Sequence, residues 1–295
     1  MLTLAFLSHH SKHLIIKLVN EIISYNLSLK IIIIENSLDQ ELKNQLEKKY
    51  KNLVNVYIPE ENLGFSKGMN KAIELSNDQF VFLNPADVIL PYDCLKNLIE
   101  CIKNFNNFTL LAPTYKDEKI FKNYETFIFS KDKKINKFKI GNKFNLQEVD
   151  WIDGTFIVNK NQIKEKKVMD ENMFIYFETM DMCLNFKKQN KKMYIIDNIK
   201  FEHMGSSSHD KKYNFEASLS RNWHYNWSKF YYFKKNFGYF YALKKFITIT
   251  LKNYFKLISY IFRGEKNKYL LKKAEIEGSL ASIFLKKSYY RPYKR

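Results

Sequence analysis

Short apolar runs alternate with amphipathic stretches as far as residue 112, and this alternation limits the folds open to the chain. Residues 2–7, 29–34, 54–58, 80–83 and 109–112 are short runs rich in aliphatic and aromatic side chains. Between them, apolar residues recur at helical spacing. Buried parallel strands have this continuous apolar character, and a helix usually connects two of them. The pattern therefore predicts an α/β domain with a mostly parallel central sheet.

Polar side chains follow three of these predicted strands at the point where each strand ends. They are SHH at 8–10, ENS at 35–37 and NPAD at 84–87. Because ligands of open α/β sheets bind beyond the carboxyl ends of the strands, we expect these residues to line one cleft. The sequence contains neither a GxGxxG segment nor a P-loop. A bound phosphate group would therefore require a metal ion or basic side chains.

The chain is strongly basic, with a formal net charge of +18. This charge suits nucleic acid, an anionic membrane or a phosphorylated substrate. Only four of the 49 basic residues are arginine, whereas sequence-specific recognition of nucleic acid usually depends on arginine. We therefore expect no nucleic-acid partner, and keep a basic nucleic-acid-binding protein as the less favoured alternative.

The C-terminal part of the chain has a composition of its own. No acidic residue occurs between Glu216 and Glu265, and aromatic residues are interleaved there with lysines. Helices of this composition suit an anionic membrane surface. A helical appendage packed on the preceding domain, with solvated lysines, explains the pattern equally well. We predict one domain over residues 1–212 and a helical extension, with a membrane or a protein as its partner, over residues 213–295.

Three observations predict a cytoplasmic location. The three cysteines lack the spacing of a metal site or a disulfide framework. The N-terminus lacks the basic segment and the cleavage site of a secretory signal. No uninterrupted apolar run reaches the roughly 18 residues of a membrane-spanning helix. Together with the basic extension, they predict a peripheral protein at the inner face of the cell membrane.

Two carboxylates, Glu178 and Asp181, lie three residues apart at the predicted start of a helix that extends to about residue 189. Side chains at this spacing share a helix face, so both carboxylates can point into one cleft. The helix dipole also stabilises negative charge at this end. An acidic first turn without catalytic function is therefore the simpler alternative.

Five segments, taken in order, resemble the characteristic segments of family 2 glycosyltransferases, particularly the rhamnosyltransferase-like branch. They are NLGFS at 62–66 with Gly68 and Asn70, FLNPADV at 82–88, WIDGTFIV at 151–158, FIYFETMDMCL at 174–184 and HMGSS at 203–207. The resemblance implies a GT-A fold, a UDP- or dTDP-sugar donor and Mg²⁺ or Mn²⁺. It also implies inverting transfer to a cell-surface glycan or a lipid-linked acceptor, in polysaccharide or lipopolysaccharide biosynthesis.

The resemblance assigns roles to individual residues. Asp87 matches the metal-binding carboxylate, and His203 matches the imidazole that completes the metal site in some members. The catalytic base is expected at Glu178 or Asp181. Candidate donor-binding residues are Ser8, His10, Glu35, Asn36, Asn62, Gly64, Asn70 and Asn84.

Two positions depart from the family pattern. The segment Asn-Pro-Ala-Asp is one residue longer than the usual Asn-Pro-Asp. Thr179 stands where related enzymes often carry the base, and a threonine cannot act as a carboxylate base. An impaired protein of GT-A fold, which binds a sugar nucleotide or a glycan without turnover, is therefore the alternative to an active enzyme.

Overall fold

The computed structural model describes residues 1–115, 136–152, 154–165, 167–203 and 211–291. The strands are β1 (Leu2–Ser8), β2 (Lys30–Glu35), β3 (Val54–Tyr57), β4 (Phe80–Pro85), β5 (Val88–Ile89), β6 (Leu110–Tyr115), β7 (Lys137–Ile140), β8 (Phe144–Glu148), β9 (Phe156–Asn159) and β10 (Met193–His203). The helices are α1 (Lys12–Ser24), α2 (Gln40–Tyr50), α3 (Gly64–Leu75), α4 (Tyr92–Asn104), α5 (Glu178–Lys188), α6 (Asn214–Phe237), α7 (Tyr239–Phe262) and α8 (Lys266–Ile283).

The strands of these ranges form one sheet in the order β3-β2-β1-β4-β9-β6-β10-β8-β7, and β5 pairs with β10 outside this path. Strands β3, β2, β1 and β4 run parallel. Strand β9 runs antiparallel between β4 and β6, and β10 runs parallel to β6. The predicted α/β class with its parallel central strands and C-terminal helices is confirmed.

Successive side chains of a strand point to opposite faces of the sheet. Both faces of the parallel strands are buried, because helices cover each of them. Leu4 and Phe6 pack in one apolar cluster with α1, α2 and α4. Ala5, between them, packs in a second cluster with α3 and α5. Burial on both faces explains why these strands read as continuous apolar runs.

The segment before β9 is not extended, because β9 begins only at Phe156. Asp150 instead forms an ion pair with Lys187, with 2.6 Å between Oδ2 and Nζ. Gly154 has a φ of +77°, which turns the chain out of the extended conformation.

Three long helices form the C-terminal part. Trp223 and Trp227 of α6 are buried against Ala274 and Ala281 of α8. Gly278 allows this contact, because a Cβ there would collide with the carbonyl oxygen of Trp223. In the part of the chain that the structure describes, no helix combines the length and the apolar character needed to cross a bilayer.

Candidate functional site

Polar side chains gather at the carboxyl ends of β1, β2 and β4. Ser8 lies opposite Glu35 in the β1–β2 register, and Asn84 lies opposite Phe6 in the β1–β4 register. Ser8, Glu35 and Asn84 are fully buried. Asn84 donates through Nδ2 to the carbonyl oxygen of Phe82 at 2.8 Å, and its Oδ1 is buried without a hydrogen bond. The parallel register thus brings together the three strand ends that the sequence singled out.

Glu35 is held by the turn that follows β2. Its Oε1 accepts hydrogen bonds from the backbone N–H of Ser37, at 2.7 Å, and from the Ser37 hydroxyl. Burial raises the pKa of Glu35, and the hydrogen bonds from Ser37 and Ser8 oppose that rise. His10 joins the same turn, because its N–H donates to the Ser37 hydroxyl at 2.9 Å and its ring stacks on Tyr213 at 4.1 Å.

Asp87 and His203, far apart in sequence, meet because β5 pairs with the end of β10. Val88 lies opposite His203 in this antiparallel pair. The Nε2 of His203 lies 3.2 Å from Oδ1 of Asp87. That Oδ1 is buried and has no hydrogen bond, so the two atoms are close without the alignment of a bonded pair. A carboxylate oxygen and an imidazole nitrogen in this arrangement are suitable ligands for a divalent cation.

These two residues fit a metal ion that has only two protein ligands. Within the described ranges, no group of three or more His, Cys, Asp or Glu residues could hold a metal. Mg²⁺ and Mn²⁺ commonly complete their coordination with substrate phosphates and water. The rest of the HMGSS segment, residues 204–207, lies outside the described residues.

The loop before α3 is built around Asn36 and Asn62. The Oδ1 of Asn36 accepts from the N–H of Leu63 at 3.2 Å, and its Nδ2 donates to the carbonyl oxygen of Gly64 at 3.3 Å. The Oδ1 of Asn62 accepts from the N–H of Gly64 at 2.8 Å. Both amides, which the sequence predicted to bind the donor, thus hold the loop in place.

Helix α3 is tied to the segment that precedes α5. The N–H of Phe65 donates to the carbonyl oxygen of Phe174 at 2.7 Å. The hydroxyl of Ser66 donates to the carbonyl oxygen of Met173 at 2.6 Å. Asn70, which is buried, accepts from the N–H of Val168 at 3.1 Å and of Met169 at 3.0 Å. The NLGFS segment and Asn70 therefore position residues 168–174.

We expect Gly64→Ala to destabilise the protein by about 2–4 kcal/mol. Gly64 has a φ of +71°, and an added Cβ would collide with the carbonyl oxygen and the ring of Phe174. Gly141→Ala is the matched control, because its φ is +54° with nothing within 4 Å. The control should lose only about 1 kcal/mol, the cost of the left-handed conformation. Urea unfolding measures both, and equal losses would contradict the close approach to Phe174.

Glu178 begins α5 directly after a strained backbone. Tyr176 and Phe177 have φ values of +73° and +66°. Left-handed conformations cost of order 1–3 kcal/mol each for such side chains and persist only where the surroundings enforce them. Helix α6 is one such element, because the Phe177 ring lies 5.4 Å from the Tyr225 ring and 5.7 Å from the Tyr232 ring. The strain and its support place Glu178 at the first position of the helix.

Asp181, one turn further along α5, is bound by α6. Its Oδ2 accepts from Nζ of Lys235 at 2.6 Å, and its Oδ1 accepts from Nδ2 of Asn236 at 2.8 Å. Lys235 also donates to Asp170 at 2.7 Å. Burial lowers the pKa of Lys235, but its bonds to the two carboxylates hold it above the ordinary value. Asp181 is thus engaged on both oxygens by residues of α6.

We expect Lys235→Met to destabilise the protein by about 1–2 kcal/mol near neutral pH. Burial opposes the charge of Asp170, but Lys235 and the N–H of Asn172 hold its pKa below the ordinary 3.8. That stabilisation is complete above the ordinary value and is lost as pH falls through the lowered pKa. Urea unfolding should therefore show a smaller penalty at about pH 3 than at about pH 7.

Lys234→Met is the control for this change, because Lys234 lies over the Tyr231 ring, with 4.9 Å between Nζ and the ring centroid. Lys234→Met should lower the free energy of unfolding only slightly, and by the same amount at about pH 3 and at about pH 7. If Lys235→Met lowers the free energy of unfolding equally at both pH values, the packing of the Lys235 side chain, rather than its charge, accounts for the effect.

Sequence reasoning missed the residues of α6 that hold the site. Lys235 and Asn236 bind Asp181, and the hydroxyl of Ser228 donates to the carbonyl oxygen of Ile175 at 2.9 Å. His224 stacks on Phe174 with 4.5 Å between ring centroids. No local pattern distinguishes these residues from the other polar positions of α6, since their partners lie in a distant segment.

Three solved structures resemble the chain. The mannosyltransferase PcManGT from Pyrobaculum calidifontis, in complex with GDP-Man and Mn²⁺, has a TM-score of 0.57 and 10% identity over 97% of this chain and 88% of that chain. TarS 1–349 from S. aureus has a TM-score of 0.52 and 12% identity, over 98% and 93%. GalNAc-T7 with UDP, GalNAc and Mn²⁺ has a TM-score of 0.52 and 11% identity, over 69% and 43%. The predicted GT-A fold is confirmed.

The sequence itself shows the family. No curated protein matches the chain. A profile of Glycosyl transferase family 2, however, matches residues 7–171, which is more than half of the 295 residues. The match contains the strand ends around Glu35 and Asp87 and the loop at Gly64. On this basis the chain belongs to glycosyl transferase family 2.

Proposed function

We propose that this protein is an inverting, metal-dependent glycosyltransferase. It moves a hexosyl or deoxyhexosyl group from a UDP- or dTDP-sugar to a cell-surface glycan or a lipid-linked acceptor. The observation that carries the proposal is the buried, non-hydrogen-bonded Oδ1 of Asp87, 3.2 Å from Nε2 of His203. Membership of the family and the neighbours' complexes with nucleotide sugars and Mn²⁺ support it. Placement in the rhamnosyltransferase-like branch rests on the sequence resemblance alone.

The donor is proposed to bind across the carboxyl ends of β1, β2 and β4. Ser8, Glu35 and Asn84 present polar atoms there, and His10 and Asn36 shape the turn beside them. Burial favours the protonated form of Glu35, which can both donate to and accept from the amide edge of a pyrimidine base. Asn62, Gly64 and Asn70 are proposed to act indirectly, by positioning residues 168–174.

Asp87 and His203 are the residues that would hold Mg²⁺ or Mn²⁺. The bound ion would neutralise the negative charge that develops on the diphosphate as the bond to the sugar breaks. Asp87 would contribute an oxygen ligand, which both ions prefer. His203 would contribute Nε2, which lies 3.2 Å from Oδ1 of Asp87.

Glu178 is proposed as the catalytic base. A single displacement joins the acceptor hydroxyl oxygen to the anomeric carbon and breaks the bond from that carbon to the diphosphate. The carboxylate of Glu178 takes the hydroxyl proton, and the nucleoside diphosphate leaves with the bonding electron pair. Attack from the face opposite the leaving group inverts the anomeric configuration. Asp181 is proposed to position α5 through Lys235 and Asn236.

The acceptor is proposed to approach beside α5. A polar cavity of about 650 Å³ borders Asp181 and is lined by Asp170, Asn172, Asn185 and Lys235, among others. Glu178, at the start of the same helix, is not among the described residues that line it. Amide and carboxylate side chains of this kind bind sugar hydroxyls through paired hydrogen bonds. The volume suits a saccharide, in the size range of small-molecule sites.

The protein is proposed to act in the cytoplasm, at the inner face of the cell membrane. The support is the basic, acid-free segment between Glu216 and Glu265. We also propose that residues 1–212 form the transferase domain and residues 213–295 a helical extension. The bonds from Lys235 and Asn236 to Asp181 join the two.

Thermal denaturation of the full chain with UDP- and dTDP-sugars, each with and without Mn²⁺, tests the proposal. A ligand at a hundred times its Kd raises the free energy of unfolding by about 2.7 kcal/mol. We expect the transition temperature to rise for one donor class, and only with the metal present. No stabilisation by any donor with Mn²⁺ would contradict the proposed function.

A binding protein without turnover is the second candidate, and Thr179 favours it. This residue replaces the acid that related enzymes often use as the base. Such a protein would show the same metal-dependent stabilisation by donor but no release of nucleoside diphosphate. Measuring that release with and without a pool of glycan acceptors distinguishes the two candidates.

A further inference from the structure

Helix α7 has one face fixed in the C-terminal bundle. Its buried residues are Ala242, Phe246, Thr250 and Asn253. The Phe246 ring lies 5.6 Å from the Phe230 ring of α6, and Asn253 donates to Glu275 of α8 at 3.4 Å. This face sets the orientation of the helix, so its opposite side is defined.

The opposite side of α7 is apolar and exposed. Ten of the twenty exposed large apolar side chains in the described ranges lie on this one helix. Six of them form a single stripe at spacings of three, four or seven residues, namely Phe240, Ile247, Leu251, Phe255, Ile258 and Phe262. At 3.6 residues per turn these positions fall within one narrow sector of the helix. Phe240, Phe255 and Phe262 are 82%, 73% and 86% exposed.

The charge on α7 has one sign only. The helix carries Lys244, Lys245, Lys252 and Lys256 and no acidic residue. Lys245, Lys252 and Lys256 fall along one edge, between the apolar stripe and the far side of the helix, whereas Lys244 falls within the sector of the stripe itself. An apolar stripe with a basic edge suits a helix that lies in the plane of an anionic bilayer, with rings among the acyl chains and ammonium groups at the phosphates.

We propose that the exposed stripe of α7 is a membrane-binding surface that inserts in the plane of an anionic lipid bilayer. The element concerned is thus α7 rather than the whole aromatic extension, since Trp223 and Trp227 of α6 are buried in the bundle. A second copy of the chain is a poorer occupant, because pairing two α7 stripes would bring eight lysines together without an acid. Which membrane of the cell the surface would bind follows from the proposed function, and in that respect the inference rests on it.

Vesicle co-sedimentation of the full chain tests the inference. The full chain is needed because removing α6 would also remove the bonds from Lys235 and Asn236 to Asp181. The probes are vesicles of phosphatidylcholine alone and of phosphatidylcholine mixed with phosphatidylglycerol. We expect strong binding to the mixed vesicles and weak binding to the neutral ones. The assay contains neither donor nor acceptor. Its result therefore does not depend on whether the protein transfers a sugar.

Two variants separate the apolar and the basic contributions. Leu251→Gln, Phe255→Gln and Ile258→Gln, combined, should reduce binding to mixed vesicles at least tenfold. Lys252→Gln with Lys256→Gln should reduce it about 25-fold and weaken the preference for anionic lipid, since each lysine near such a surface strengthens binding about fivefold. Leu53→Gln with Phe284→Gln is the control, because both side chains are exposed outside α7. It should bind like the original chain.

The outcomes are decisive in either direction. Equal binding of the stripe variant and the control would overturn the proposal. A second result would also overturn it. In that result the original chain does not bind mixed vesicles but forms a dimer, measured by light scattering, and the stripe variant is a monomer. Unchanged thermal unfolding of the stripe variant, with lost vesicle binding, would support it and would exclude misfolding as the cause.

Discussion

Asp87→Asn is expected to lower the rate of sugar transfer about 10²–10³-fold, because metal stabilisation of a leaving diphosphate is worth several kcal/mol. The substitution keeps the size of the side chain and removes the charge that would hold the cation. Mn²⁺ should no longer raise the thermal stability of the protein in the presence of donor. Calorimetric titration of Mn²⁺ with donor, alongside a transfer assay, measures both effects.

The unfolding free energy of Asp87→Asn separates a metal-binding role from a structural one. A buried carboxylate oxygen without a hydrogen bond destabilises the fold in the absence of a cation. The metal-free variant should therefore be at least as stable as the original chain. Asp93→Asn, an exposed carboxylate in the first turn of α4, is the control and should change neither property. A strongly destabilised Asp87→Asn with retained Mn²⁺ binding would show that Asp87 holds the structure only.

His203→Asn extends the same series. Its imidazole is one-quarter exposed, so its loss leaves little buried polar surface without a partner. We expect the Mn²⁺ concentration for half-maximal activity to rise about 10–100-fold while the rate at saturating Mn²⁺ falls less. The rate at saturating Mn²⁺ should fall less because, in this variant, Asp87 and the diphosphate would still hold the ion.

The neighbourhood of Asp87 shows what the sequence could predict. The strand ends at Ser8, Glu35 and Asn84 were predictable, because parallel strands place their carboxyl ends at one edge. The approach of His203 was available only from family resemblance. It depends on the two-residue strand β5 and its pairing with the end of β10, and a strand that short has no periodicity to detect.

The aromatic extension shows a different limit. Composition predicted helices with a preference for some surface, and the helices are there. Composition could not tell Trp223, which is buried, from Phe255, which is exposed. That distinction depends on which face of each helix packs against the bundle, and α7 carries phenylalanine on both its buried and its exposed side. Only the tertiary packing shows which face of the helix is buried and which is exposed.

The two acids of α5 could not be ranked from spacing either. Glu178 and Asp181 are equivalent as a pair at i and i+3, yet α6 binds both oxygens of Asp181 through Lys235 and Asn236. A base must be available to the acceptor hydroxyl in the reacting complex. The partners of Asp181 come from a segment some fifty residues further along the chain, as the 54-residue separation of Lys235 shows.

Glu178→Gln is therefore expected to lower kcat about 10²–10⁴-fold, the usual contribution of a general base. The KM for the donor should change little, because the amide keeps the size of the side chain and the donor is proposed to bind at the strand ends. A loss confined to kcat is the sign of an interaction made only in the transition state. Steady-state kinetics with varied donor and a fixed acceptor measures both constants.

Asp181→Asn is the comparison that identifies the base. It should weaken the ion pair with Lys235 and lower the unfolding free energy by about 1–2 kcal/mol, with a smaller loss in kcat than Glu178→Gln. The reverse order, with kcat nearly abolished in Asp181→Asn and preserved in Glu178→Gln, would assign the base to Asp181. It would then require Lys235 to release that carboxylate when the acceptor binds. Because Thr179 cannot supply a carboxylate, one of these two variants must lose turnover if the chain is an enzyme that uses a carboxylate base.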